Sequence, residues 1–197
     1  ATMLAMSHTP TAALSSLQLY GTGHPGRAEV ERFIAGIFRE RFKADVRSFA
    51  PLLVARRDAT GTLVAAAGYR RADAGTLFLE RYLERPVHEA LGAKRSRIVE
   101  VGHLAAARAG EGRKLILQMG PHLAGHGFQW VVSTLTEELR HLFLRLGIAP
   151  LALGVADPAL LGEDAARWGS YYDHQPVVLA GAIEPALHAL ARRGATA

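Results

Sequence analysis

Apolar residues along the chain fall into stretches of two different periods. Val30, Phe33, Ile34, Ile37, Phe38 and Phe42 recur every three or four residues, which predicts a helix from Pro25 to Phe42 with one apolar face. Before it, Leu14 to Tyr20 reads as a short strand, broken by Gly21-Thr22-Gly23-His24-Pro25-Gly26. After it, Ser48 to Arg56 and Leu63 to Arg70 read as two strands of a hairpin turned by Asp58-Ala59-Thr60-Gly61.

Leu77 to Leu83 then leads into Pro86 and a short helical piece ending near Gly92, and Arg97 to Ala105 reads as a strand. Gly110 to Gly112 opens a helix that runs to about Ala124, where Gly125 and Gly127 stop it. The continuous apolar run Phe128 to Ser133 suits a strand buried on both faces. Thr134 and Glu137 have the spacing of a capping box, followed by the stripe Leu139, Leu142, Phe143 and Leu146 of a helix ended by Gly147. Ala149 to Val155 and Val177 to Ala182 read as strands flanking a loop from Ala156 to Gln175, and a helix is expected from Glu184 to Arg193.

This order predicts an α/β protein, one mixed sheet with helices on both faces. No repeat or linker divides the 197 residues, so one domain is expected, with its core over about 14–183. Cysteine is absent, which excludes disulfides, thiolate metal sites and a cysteine nucleophile. There is no run of about 18 apolar residues and no signal-peptide layout, so the expected location is the cytoplasm and no integral membrane span is expected. The net charge of +5 favours an acidic or phosphorylated partner. The arginines are scattered and no aromatic stripe accompanies them, which argues against nucleic acid.

Five segments carry a resemblance. They are Phe78-Leu79-Glu80-Arg81-Tyr82-Leu83 with Pro86-Val87, Ile98 to Ala105, Trp130-Val131-Val132 with Leu139-Arg140 and Arg145-Leu146-Gly147, Ala156-Asp157-Pro158, and Trp168-Gly169-Ser170-Tyr171-Tyr172. Together, and in this order, they resemble the thermostable hemolysin family, itself similar to the GNAT and acyl-homoserine-lactone synthase superfamily. The resemblance implies a GNAT-like acyltransferase fold. It also implies transfer of an acyl group from an acyl-CoA or acyl-carrier-protein (ACP) thioester to an amine of a small molecule such as an amino acid. An acidic carrier protein would suit the basic chain, and a homodimer is compatible with all of this. The family's name suggests instead a membrane-active cytolysin, and a non-catalytic acyl-thioester-binding module is a third reading.

GNAT enzymes hold the pyrophosphate of coenzyme A on backbone amides of a glycine-containing loop that opens a helix, where N–H groups and the helix dipole meet one anion. The equivalent loop here is Ala107-Arg108-Ala109-Gly110-Glu111-Gly112, after the strand that ends in Leu104 and Ala105. Ala107 stands where the family pattern has Gln or Arg, and Arg108, Arg113 and Lys114 offer compensating charge. Glu100, a carboxylate inside an apolar strand, is the candidate general base; a salt bridge with Arg81, Arg97 or Arg140 would also account for it. Glu80 is a second acidic candidate, to hold a cationic substrate or simply to sit in an ion pair.

His103 lies on the opposite strand face from Glu100 by period-two alternation unless a bulge intervenes. Phe143 occupies the place where many GNAT enzymes carry a tyrosine as general acid, so either Tyr171 or Tyr172 replaces it or the thiolate leaves unassisted; with Trp168 the two tyrosines otherwise form an aromatic packing cluster. His122 and His126 are four apart, but Pro121 and Gly125 are expected to interrupt their helix and no carboxylate shares their register, so no metal site is expected.

Overall fold

The computed structural model describes residues 16–194. The strands are β1 (Gln18–Tyr20), β2 (Leu52–Arg57), β3 (Leu63–Arg71), β4 (Ile98–Ala106), β5 (Trp130–Leu135), β6 (Leu151–Val155) and β7 (Val177–Ala182). The helices are α1 (Arg27–Phe42), α2 (Val87–Leu91), α3 (Glu111–Gly125), α4 (Glu137–Arg145) and α5 (Ile183–Gly194). All seven strands form one mixed sheet in the order β1-β2-β3-β4-β5-β7-β6. Among the described residues only the β4–β5 pair is parallel. Residues 14 and 15 of the expected first strand lie outside the described residues.

The alternation of the strands decides which helix covers which face. Val30, Ile34 and Phe38 of α1 pack on Leu53, Ala55, Ala66 and Ala105. On the opposite face, Leu115, Met119 and Leu123 of α3, with Ile183 of α5, pack on Val54, Ala65, Ala67 and Val99. The run Ala65-Ala66-Ala67 is small on both faces, so helices approach closely from each side. Fully buried side chains such as Ile34 contribute about 1.5–3 kcal/mol each through loss of water contact.

Three expectations need correction. Thr134 does not cap α4: β5 runs to Leu135, still paired with Val177 of β7, and the N-cap is Thr136 without a side-chain capping bond. Pro121 does not interrupt α3, which continues through it to Gly125. The stretch expected as a plain loop holds two 3-10 segments, Pro158–Trp168 and Tyr171–His174, that fold back over α1. Ser170 donates its backbone N–H to the Phe42 carbonyl at 2.8 Å, and Gly169, with φ +54°, approaches so closely that an added Cβ would lie 2.1 Å from that oxygen.

The feature that shapes the site is a fork. β4 pairs with β5 only over Ile98↔Trp130, Val99↔Val131 and Glu100↔Val132, after which the strands part. On its other edge β4 carries a bulge: two steps on β3 (Ala66 to Gly68) face three on β4 (Ala105 to Gly102). His103 takes up the extra residue with φ +51°, a left-handed conformation that costs a side-chain-bearing residue about 1–2 kcal/mol.

Candidate active site

The extra residue in β4 reverses the alternation beyond it. Glu100 and His103 therefore lie on the same face of the sheet, the α1 face, and not on opposite ones. Both line a cavity of about 460 Å³ that passes through the fork. On the α1 side its walls are Phe38, Phe49, Phe78, Trp168 and Tyr171. On the far side it continues as an apolar channel between Met119 and Leu123 of α3, Phe143 of α4 and Ile183 and Leu187 of α5. Such a volume lies within the range of small-molecule sites, about 300–1,000 Å³.

Glu100 accepts hydrogen bonds from the backbone N–H groups of Phe78 at 3.0 Å and Leu79 at 2.8 Å, which open a 3-10 turn over Phe78–Tyr82. None of the three arginines named as alternative partners reaches it: Arg81 pairs with Asp164, Arg97 donates to the Gly127 carbonyl and Arg140 to that of Gln175. Burial raises its pKa above the usual carboxylate range, against the opposing pull of the two amides and of Arg70. Arg70 sits directly across the strand pair, at the Arg70↔Glu100 register position. The His103 ring stacks on Trp168 at 6.0 Å and meets Phe38 edge-on at 5.6 Å. Burial, aided by the Arg70 charge, pushes its pKa down to about 4, so the imidazole is neutral at pH 7.

Tyr171 is both packing and lining. Its ring stacks with Phe38 and meets Phe42 edge-on, and its hydroxyl donates to the Thr134 carbonyl, 3.4 Å away on β5 just past the fork. Burial raises its pKa, so the phenol stays a donor. Tyr172 is turned away into a hydroxyl contact with Tyr82 at 2.5 Å. Phe143 lines the channel, and no hydroxyl stands in its place.

Glu80 is not part of the cavity lining. Its carboxylate, with a side chain 7% exposed, pairs with Arg95 at 2.7 Å and accepts from the amides of Leu77 and Val87. These donors hold it down to about 2 in spite of burial, and they use the lone pairs that a substrate would need.

The residues of the loop after β4 line a second, open cleft that includes Leu104, Arg108, Gly110, Gly112 and Arg113. Ala105 is fully buried against the α1 face and Lys114 points outward, neither of them in this lining. Gly110 adopts φ +85° to turn the chain into α3, whose first-turn N–H groups at Gly112 and Arg113 lack intrahelical acceptors. The Ala107 N–H is committed to the Val64 carbonyl at 2.9 Å. Glu111, a carboxylate at the same helix start, is neutralised by Arg56 at 2.5 Å, a pair that sequence periodicity did not disclose. Arg108, Arg113 and Lys114 leave this end of the molecule positive, with Arg108 partly engaged by Asp58 at 3.2 Å.

The family model described as thermostable hemolysin matches residues 20–187. The chain belongs to the thermostable hemolysin family. No curated protein matches it significantly. Among solved structures, this family member is similar to TofI in an apo form, with TM-score 0.63 and 17% identity over 89% of this chain and 95% of that one. It is also similar to BjaI, a CoA-dependent acyl-homoserine lactone synthase with SAM and isopentyl-CoA (TM-score 0.61, 14% identity, 91% and 89% covered). A third is FeeM, an N-acyl amino acid synthase from uncultured soil microbes (TM-score 0.59, 10% identity, 88% and 93% covered). The fold is thus the GNAT-like acyltransferase fold, a mixed sheet with helices on both faces.

Proposed function

We propose that this protein is an N-acyltransferase that takes an acyl group from a coenzyme A or carrier-protein thioester and places it on the amine of a small molecule such as an amino acid. The observation that carries the reading is the desolvated Glu100 at the wall of a cavity that runs through the β4–β5 fork. BjaI, a CoA-dependent acyl-homoserine lactone synthase, and FeeM, an N-acyl amino acid synthase, have a similar fold, which supports this reading.

The fork supplies three things that the reaction needs. Beyond Glu100 the β5-facing edge of β4 has no strand partner, so an extended pantetheine arm with two amides can add to it as a peptide strand would. The diphosphate, or the phosphate of a carrier protein, then meets the start of α3 with Gly110, Gly112, Arg108 and Arg113, Leu104 flanking the arm. The acyl chain enters the apolar channel between α3, α4 and α5.

On the α1 side the acceptor amine meets Glu100. Its ammonium form loses one proton to the carboxylate, and the free lone pair attacks the thioester carbon. The C–N bond forms, the C–S bond breaks and the thiolate leaves with the bonding electrons, recovering a proton to give the thiol. The balance is thioester plus ammonium to amide, thiol and one proton. The raised pKa of Glu100 brings the base closer to neutral pH, while neutral His103 adds no charge beside the ammonium. Tyr171 would stand in for the hydroxyl that Phe143 lacks by exchanging its single O–H bond from the Thr134 carbonyl to the leaving thiolate.

A fatty acyl group joined to a polar amine is an amphiphile, so lysis of red cells would travel with the small product. Among the described residues no helix is long and apolar enough to cross a membrane. The test is mass analysis of products from acetyl, octanoyl and palmitoyl coenzyme A with a mixture of the twenty amino acids. New N-acyl products that vanish with Glu100→Gln, while that variant still binds the donor, are expected. Lysis of liposomes by purified protein without donor, or tight donor binding without any product, would overturn the reading in favour of a cytolysin or a binding module.

A further inference from the structure

Several arginines line the cavity mouth on the α1 side, and most are spoken for. Arg47 pairs with Asp45 at 2.6 Å, Arg81 with Asp164 at 3.3 Å, and Arg167 with the same Asp164 at 3.9 Å. Arg70 differs. It is half-buried, it lines the cavity, and it has no hydrogen-bond or ion-pair partner among the described residues. A half-buried guanidinium with no hydrogen-bonded acceptor leaves its fork of N–H donors open to an anionic ligand.

Its position limits what that acceptor is. Arg70 and Glu100 are directly opposed on adjacent antiparallel strands, which sets their Cβ atoms about 4.5–5.5 Å apart on one face. Beside them the sheet surface carries the glycine pair Gly68↔Gly102, and a Cβ added at Gly102 would meet no atom within 4 Å. The floor is thus open at Gly102 and closed at Gly68, where an added Cβ would lie 3.0 Å from the Ala50 side chain. Arg70 makes no hydrogen bond to Glu100, whose oxygens each accept one amide, from Phe78 and Leu79, although its charge acts on that carboxylate across the strand pair.

We infer that Arg70 binds the carboxylate of the acceptor, so that the acceptor is a zwitterionic α-amino acid held with its amine at Glu100 and its carboxylate at Arg70. This rests on the acyl-transfer reading and narrows it. The two ends of an α-amino acid are one carbon apart, which suits two opposed side chains on neighbouring strands, and the planar guanidinium takes a carboxylate in two parallel hydrogen bonds. A simple amine, or an amino acid whose carboxylate is blocked, leaves the half-buried guanidinium without its acceptor. Gly102 gives the α-carbon and its side chain their room.

The experiment compares each of the twenty amino acids with its carboxamide, using protein saturated with octanoyl coenzyme A. Binding is read by calorimetry with a non-transferable thioether analogue of the donor, and turnover by mass analysis. The free acid is expected to be preferred at least tenfold, the value of one charged hydrogen-bonding partner. Arg70→Gln should erase that preference, mainly through KM, with donor affinity unchanged, and Arg70→Lys should restore part of it. Acids and carboxamides bound or used equally by the wild type, or a preference that survives Arg70→Gln, would overturn the assignment while leaving acyl transfer standing. Binding of the acids without any product would instead count against the acyl-transfer reading alone.

Discussion

Replacing Glu80 by Gln separates a scaffold carboxylate from a catalytic one. Holding its carboxyl at about 2 instead of the ordinary 4.5 is worth about 3 kcal/mol of folding free energy at neutral pH. Gln keeps the shape and one acceptor for the Leu77 or Val87 amide but leaves Arg95, a quarter exposed, without its anion. A loss of about 2–3 kcal/mol at pH 7 is expected, or a melting temperature lower by about 5–10 °C for a chain of this size.

The sign of the pH dependence is fixed by the direction of the shift. A depressed carboxyl stabilises the fold above its unfolded value and loses that contribution as pH falls through the folded one. The difference between wild type and variant should therefore be full at pH 6–7 and shrink between about 4.5 and 2. Urea unfolding at a series of pH values measures it, with turnover followed below the melting range. A difference under about 0.5 kcal/mol, or a full-sized one that ignores pH, would refute the ion-pair account. Lost turnover with unchanged stability would move Glu80 back among the catalytic groups.

Glu100 should show the opposite trend, because its carboxyl is raised: relative to Glu100→Gln, the wild type is favoured at low pH and loses that advantage as pH rises through the folded value. In kcat/KM the same group should give an acidic limb above the ordinary carboxylate range, absent in Glu100→Gln together with about 10²–10⁴-fold of the rate; a variant within threefold of wild type would remove it from the chemistry. Gly169→Ala forces a Cβ against the Phe42 carbonyl at a left-handed φ, so a loss of roughly 2–4 kcal/mol in urea unfolding and a loosened Trp168–Tyr171 wall are expected; an unchanged midpoint would contradict the packing described.

The sheet and its helices were legible because their signals are local. The Val30 to Phe42 stripe forms α1, and Asp58 to Gly61 turns the β2–β3 hairpin. The cap of α4 was misplaced by two residues because cross-strand pairing with β7 carries β5 past Thr134, and no local pattern encodes that. For the site, burial of a charge pointed to Glu100, but its partners are main-chain amides 21 and 22 residues away, which composition cannot disclose. Period-two alternation puts His103 opposite Glu100 unless a bulge intervenes, and the bulge that is present is visible only against β3. Arg70 was overlooked for the same reason: its meaning comes from the residue opposite it.

The central claim, that the β4–β5 fork is where the acyl thioester lies, is tested most directly by a crystal structure with the thioether analogue of octanoyl coenzyme A. The expected result is an acyl chain threaded between the strands toward Met119 and Leu187, diphosphate at the start of α3, and the carbonyl carbon facing Glu100 over Gly102. A ligand bound elsewhere, with the fork closed by its own side chains, would contradict it.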